Sequence, residues 1–179
     1  MLGCVVRVYY AAQAIRHKDK GMSTAATSLR DARRKVIREH IRQESTQDLA
    51  GLLAGMTKDC VCAVNISPKP FVGPKAVADR YLQQWRGFPD FKVRVRRIIA
   101  EGENYVVTEN EWRGTHRGPF FGIAPTGKKA KVRACVLWEF RGSRLHSETV
   151  YYDLATVLSQ IGAIDLKKLG AASARRDAR

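Results

Sequence analysis

Apolar positions recur at three- and four-residue spacing from Ser28 to Ser45, where Leu29, Ala32, Val36, Ile37, His40 and Ile41 form one stripe between Arg and Glu residues. That period predicts an amphipathic helix, and Ser28 with Asp31 supplies a start signal. Thr46-Gln47-Asp48 breaks the pattern, and Leu49 to Met56 reads as a shorter helix capped by Thr46 or Asp48. Asp59 to Asn65 reads as a strand, with Cys60, Cys62 and Val64 on one face and Val61 and Ala63 on the other. Ser67 to Pro70 is a loop. Gly73-Pro74 then opens a third helix, with proline at its first position and Val77, Tyr81, Leu82 and Trp85 as its apolar stripe. Gly87 to Asp90 ends it.

Beyond that point the period falls to two. Phe91 to Ala100 sets Phe91, Val93 and Val95 against Lys92, Arg94 and Arg96, and a slip at Arg97-Ile98 predicts a β-bulge. Gly102-Glu103-Asn104 is a hairpin turn before the strand Tyr105 to His116. Arg117 to Gly127 is a long Gly/Pro-rich loop, expected to close one end of a cavity. Lys128 to Phe140 alternates Val132, Ala134, Val136, Trp138 and Phe140 against charged or mixed positions. A turn at Arg141-Gly142-Ser143 leads to the strand Leu145 to Tyr152. The last helix is Leu154 to Ile161, with Gly162 at its C-terminal cap. Helices first and long adjacent strands later argue for an α+β fold, a strongly curved, mostly antiparallel sheet wrapped over N-terminal helices.

The 179 residues suit one domain with appendages. We place it at 28–164, preceded by an extension, 1–27, and followed by a basic tail, 165–179. Either Met22 is the initiator or residues 1–21 are an undocked arm. No apolar run is long enough to span a bilayer. The net charge of +15 is spread over several segments and both tails without interleaved aromatics, so nucleic-acid binding is not expected. The Cys60-x-Cys62 spacing fits neither a zinc knuckle nor a redox pair. Buried cysteines in a reducing cytoplasm are the expected reading.

Some candidate chemistry falls away at once. Gly122 to Lys128 matches G-x-x-x-x-G-K, yet it leads into a strand, so no helix N-terminus faces a phosphate. His17, His40, His116 and His146 form no H-x-x-x-H or H-x-H pair, and no metal site is expected. Asp153, between the last strand and the last helix, has two readings. It caps the helix, or it is a general acid/base whose pKa a pocket raises. By strand parity His116 shares a face with Asn110 and Trp112, and Thr149, Tyr151 and Asp153 share a face on the last strand. With Tyr81 and Trp85 they would line a mostly apolar pocket with a few polar groups.

Gly114-Thr115-His116-Arg117-Gly118-Pro119-Phe120, Gly122 to Lys128, Tyr151 to Ala155 and Gln160-Ile161-Gly162 together resemble the SnoaL-like polyketide cyclase, or ester cyclase, family. The resemblance covers about residues 30–164. It implies a cone-shaped α+β barrel of the nuclear-transport-factor-2-like superfamily and a homodimer. It also implies cofactor-free ring closure on a hydrophobic carbonyl compound. Asp153 would be the catalytic acid/base and His116 its donor or orienting partner. Asn110, Trp112, Tyr81, Trp85, Thr149 and Tyr151 would bind substrate. The alternative is a non-catalytic ligand-binding or dimerisation module of the same fold.

Overall fold

The structure is a computed structural model that describes residues 24–166 and Lys168. The arm 1–21, the choice between Met1 and Met22, and most of the basic tail lie outside the described residues. The elements in chain order are α1 (Thr24–Thr46), α2 (Leu49–Ala54), β1 (Met56–Val64), β2 (Phe71–Val72), α3 (Gly73–Gly87), β3 (Lys92–Glu101), β4 (Tyr105–Thr115), β5 (Lys129–Arg141), β6 (Arg144–Tyr152) and α4 (Leu154–Gln160). Helix α1 begins one turn before Ser28. Ala25 and Ala26, strong helix formers, extend it.

The strands form one curled, unclosed six-stranded sheet in the order β2-β1-β6-β5-β4-β3. β3 to β6 form an antiparallel meander. β1 returns to lie parallel to β6, and the two-residue β2, too short to show a period, pairs with β1. The inner face meets α1 and α3. It buries Trp138, Val136 and Val132 of β5 with Tyr81, Val77 and Trp85 of α3 and Ile37 of α1. The Trp138 indole N–H donates to Thr108 Oγ1 at 2.8 Å, so this aromatic brings no unpaired donor into the core.

Two irregularities decide which residues look inward. On β3 the register shifts between Val95 and Arg97 and again between Ile98 and Ala100, flanking the slip that the alternation predicts. On β6, Phe140 pairs with Leu145 but Glu139 pairs with Ser147. His146 is therefore an extra residue, and a bulge inverts the parity beyond it.

The β4–β5 loop is pinned to the end of α3. The Arg117 and Gly118 amides donate to the Gly87 carbonyl at 3.0 and 3.1 Å. Gly118 is required there, because any Cβ would run into the Arg86 carbonyl.

Candidate functional site

The bulge on β6 fixes the site. Counting from buried Leu145, Thr149, Tyr151 and Asp153 would face the cavity. The extra residue instead turns Glu148, Val150 and Tyr152 inward. Thr149 and Tyr151 pair with Leu137 and Cys135 on the outer face of the sheet. The expectation that they line the cavity is corrected on this point.

Two neighbouring spaces lie on the inner side. The outer pocket has a volume of about 440 Å³ and is mostly apolar, with Val64, Ile66, Phe71 and Phe120 among its lining. Pro119 to Gly122 of the β4–β5 loop form part of its rim, the closing role expected of that loop. Behind it lies a chamber of about 20 Å³, walled by Glu44, Arg80, Asn110, Trp112, Glu148 and Val150 among others. Arg80, Gln84 and Tyr152 belong to both spaces and form the wall between them.

The charged cluster at the chamber comes from three elements. On α1, His40 and Glu44 stand four residues apart and share a face. On α3, Arg80 and Tyr81 approach from the other side, and Glu148 reaches in from β6. All five side chains are buried. Tyr81 Oη donates to Glu148 Oε2. His40 Nε2 lies 2.9 Å from the same hydroxyl, and because tyrosine gives its one proton to Glu148, the imidazole must donate. Cys62 Sγ lies 3.9 Å from Glu148. The Arg80 guanidinium stacks on the Tyr81 ring at 4.5 Å and stands 3.9 Å from Glu44.

The two carboxylates differ. Burial raises the pKa of Glu148, but the hydrogen bond and charge of His40, then Arg80 and Tyr81, more than offset it and hold it below the usual range. Glu44 feels the same two charges but has no such hydrogen bonds. Burial first, then the charge of Glu148, pushes it up to about 7, although Arg80 and His40 oppose the shift. Glu44 is thus poised to gain or lose a proton near neutral pH.

His40, Glu44 and Glu148 also bring three ligand-type atoms within 4.8 Å of one another. A cation fits poorly there. Arg80 already supplies the positive charge, and Tyr81 already bridges His40 and Glu148.

The expected site residues are split by the fold. Asn110 and Trp112 line the chamber. Tyr81 sits beside it, with Trp85 stacked on its ring at 5.6 Å. His116 lies apart, completely buried against Phe88, with Nδ1 3.2 Å from Thr126 Oγ1. It lines neither space. Asp153 is exposed. One carboxylate oxygen accepts from the Ala155 amide at 2.9 Å and the other from Thr156 Oγ1 at 2.5 Å. The Thr156 hydroxyl, then backbone amides, hold its pKa below the ordinary value, the opposite of the expected shift. Glu44, Arg80 and Glu148 were missed. The His40-x-x-x-Glu44 spacing on one helix face was a usable signal, and so was Arg80 inside the apolar stripe of α3.

Comparison with known proteins agrees with this architecture. The family model for the SnoaL-like polyketide cyclases matches residues 34–161, and the chain belongs to that family. Among solved structures, a candidate SnoaL-like polyketide cyclase from Jannaschia sp. CCS1 superposes with a TM-score of 0.70 at 20% identity, over 82% of this chain and 99% of that one. AclR, a candidate hydroxylase from Streptomyces galilaeus, gives 0.67 at 23%, over 82% and 92%. IdmH, a candidate polyketide cyclase from Streptomyces antibioticus, gives 0.61 at 23%, over 72% and 96%. These likenesses establish the fold. No curated protein matches the sequence. Among the described residues, no helix is long and apolar enough to cross a membrane.

Proposed function

We propose that this protein is a cofactor-independent cyclase or isomerase that acts by acid/base catalysis on a hydrophobic, carbonyl-containing small molecule of polyketide type. One observation carries the reading. An apolar pocket of about 440 Å³ shares Arg80, Gln84 and Tyr152 with a neighbouring chamber where a guanidinium and two carboxylates converge. The apolar walls suit a hydrophobic body. The charged end suits proton transfer at a carbonyl whose oxygen gains charge in the transition state. Asp153 and His116, the pair implied by the family resemblance, stay within this proposal only if Asp153 leaves its cap and the β4–β5 loop uncovers His116.

The rival reading, a binding module without turnover, draws on the capped, solvent-exposed state of Asp153. Native mass spectrometry of the purified full chain, followed by incubation of whatever apolar carbonyl compound co-purifies, separates the two. Conversion of the compound supports the enzyme. Stoichiometric binding without conversion selects the module. A chain that retains no small molecule and binds none overturns both.

A further inference from the structure

Two buried polar atoms on chamber residues have no hydrogen-bond partner: Arg80 Nη1 and Asn110 Oδ1. The first is a donor only and the second an acceptor. Arg80 is 8% exposed and Asn110 2%, so bulk water does not serve them, and leaving such groups unpaired is unfavourable. Glu44 Oε1 stands 3.9 Å from Arg80 Nη1, beyond hydrogen-bond reach.

The chamber volume of about 20 Å³ admits one water-sized group. A ketone oxygen there would satisfy Arg80 and leave Asn110 unpaired. A methyl group would satisfy neither. A ligand carboxylate would bring a further negative charge up to Glu44 and Glu148. A hydroxyl does both tasks with one oxygen, accepting from Arg80 and donating to Asn110. A single water also does both, so a ligand hydroxyl takes the place of a water without loss of either bond.

We propose that the chamber seats the hydroxyl of an enol or phenol whose apolar body fills the outer pocket, and that Glu44 is the carboxylate that takes its proton. For the transfer the hydroxyl turns its one proton from Asn110 Oδ1 to Glu44, the O–H bond breaks and the proton moves to a Glu44 carboxylate oxygen. Asn110 holds the neutral hydroxyl only, and gives up its donor once the proton has left. The electron pair stays on the ligand oxygen as an enolate or phenolate facing Arg80. An enolate is the nucleophile that an aldol ring closure needs, so the inference rests on the function proposed above and narrows its substrate class. The groups facing Glu44 are His40 on its own helix, Arg80 and Tyr81 on α3, Cys62 on β1 and Glu148 on β6. Arg80 favours the ionised carboxylate and Glu148 opposes it.

The test compares two probes of equal shape, 2-naphthol and 2-methylnaphthalene, titrated into the full-length protein by fluorescence at pH 6 and pH 8. The apolar walls alone favour the methyl compound. The seat predicts that wild type binds the naphthol at least about tenfold more tightly, because a site built around a hydroxyl rejects the analogue without one. In Asn110→Leu the two affinities should come within about twofold. The naphthol preference should rise from pH 6 to pH 8 as Glu44 loses its proton, and should stay flat in Glu44→Gln. Equal binding of the probes to wild type overturns the hydroxyl seat while the pocket survives, and the unpaired atoms are then served by water alone. A preference equally pH-dependent in Glu44→Gln removes Glu44 as the acceptor. Binding of neither probe sinks the pocket and the seat together. The wild-type comparison needs no variant to fold.

Discussion

Glu44 and Asp153 are both carboxylates next to a helix, and their surroundings send them in opposite directions. Glu44 points from the side of α1 into a space closed by β6 and α3. Its carboxylate accepts no hydrogen bond from the described residues, and burial raises its pKa to about 7. Asp153 sits in solvent at the start of α4, where its two oxygens are filled by Thr156 and Ala155 and its pKa falls. Hydrogen bonds that favour the ionised form make a good cap and a weak base. A buried carboxylate that its cationic neighbours reach by charge alone, without a hydrogen bond, makes the reverse. The family's motif at Tyr151-Tyr152-Asp153 thus lies at a place whose local physics is structural, while the chemistry-ready carboxylate lies on a helix that carries no motif.

The largest test of this contrast is the counter-charge. Arg80→Met leaves Glu44 and Glu148 without their shared cation inside the fold. Breaking a buried pair in this way costs about 3–5 kcal/mol. The loss should be full at pH 8 and smaller at pH 5, where Glu44 is protonated and needs no partner. Urea unfolding at the two pH values measures it. Equal losses would show that Arg80 acts through its packing on Tyr81 rather than through charge.

Glu44→Gln sharpens the same point with the charge itself. The folded pKa of Glu44, about 7, lies above its ordinary 4.5. Below pH 4.5 the group is protonated in both states and adds no pH-dependent term. Between 4.5 and 7 the unfolded chain releases the proton first, so the wild type loses stability as pH rises. Above 7 the loss is complete. The variant escapes it, and its stability relative to wild type should climb by about 3 kcal/mol across that window. A difference that stays flat from pH 4.5 to 8 would mean that Glu44 ionises freely where it stands.

Most of the fold was legible because its period changes were plain: 3.6 along α1 and α3, then 2 along β3 to β6. The bulge on β3 showed as a break in alternation between Val95 and Ile98. The bulge on β6 left no such trace, because Leu145 to Tyr152 has polar or aromatic residues on both faces and tolerates either parity. That single extra residue, His146, moved Thr149 and Tyr151 out and Glu148 in. The polar members of the chamber were hidden for a related reason. Periodicity registers apolar stripes, whereas Glu44, Arg80 and Glu148 are buried through mutual compensation that only the tertiary contacts reveal. His40 and Tyr81 showed in the stripes because an aromatic ring reads as core whether or not its polar end carries chemistry.

The smallest effect belongs to Asp153, and its sign should mirror that of Glu44. Replacing a capping aspartate by alanine costs about 0.5–2 kcal/mol, and α4, only seven residues long, depends on its cap more than a long helix would. Since the folded pKa of Asp153 is depressed, the stability it adds is present above its unfolded pKa. That contribution fades as pH falls through the lower, folded value. Asp153→Ala should therefore be destabilised at pH 7 and approach wild type in acid, whereas Glu44→Gln departs from wild type as pH rises. Asp153→Asn keeps an acceptor for the Ala155 amide and should stay within a few tenths of a kcal/mol of wild type at pH 7. Thermal unfolding of the two Asp153 variants across pH 2.5 to 7 measures both effects. If Asp153→Ala is instead stabilised at neutral pH, the carboxylate is held at a cost, as a strained functional group would be, and the contrast with Glu44 collapses.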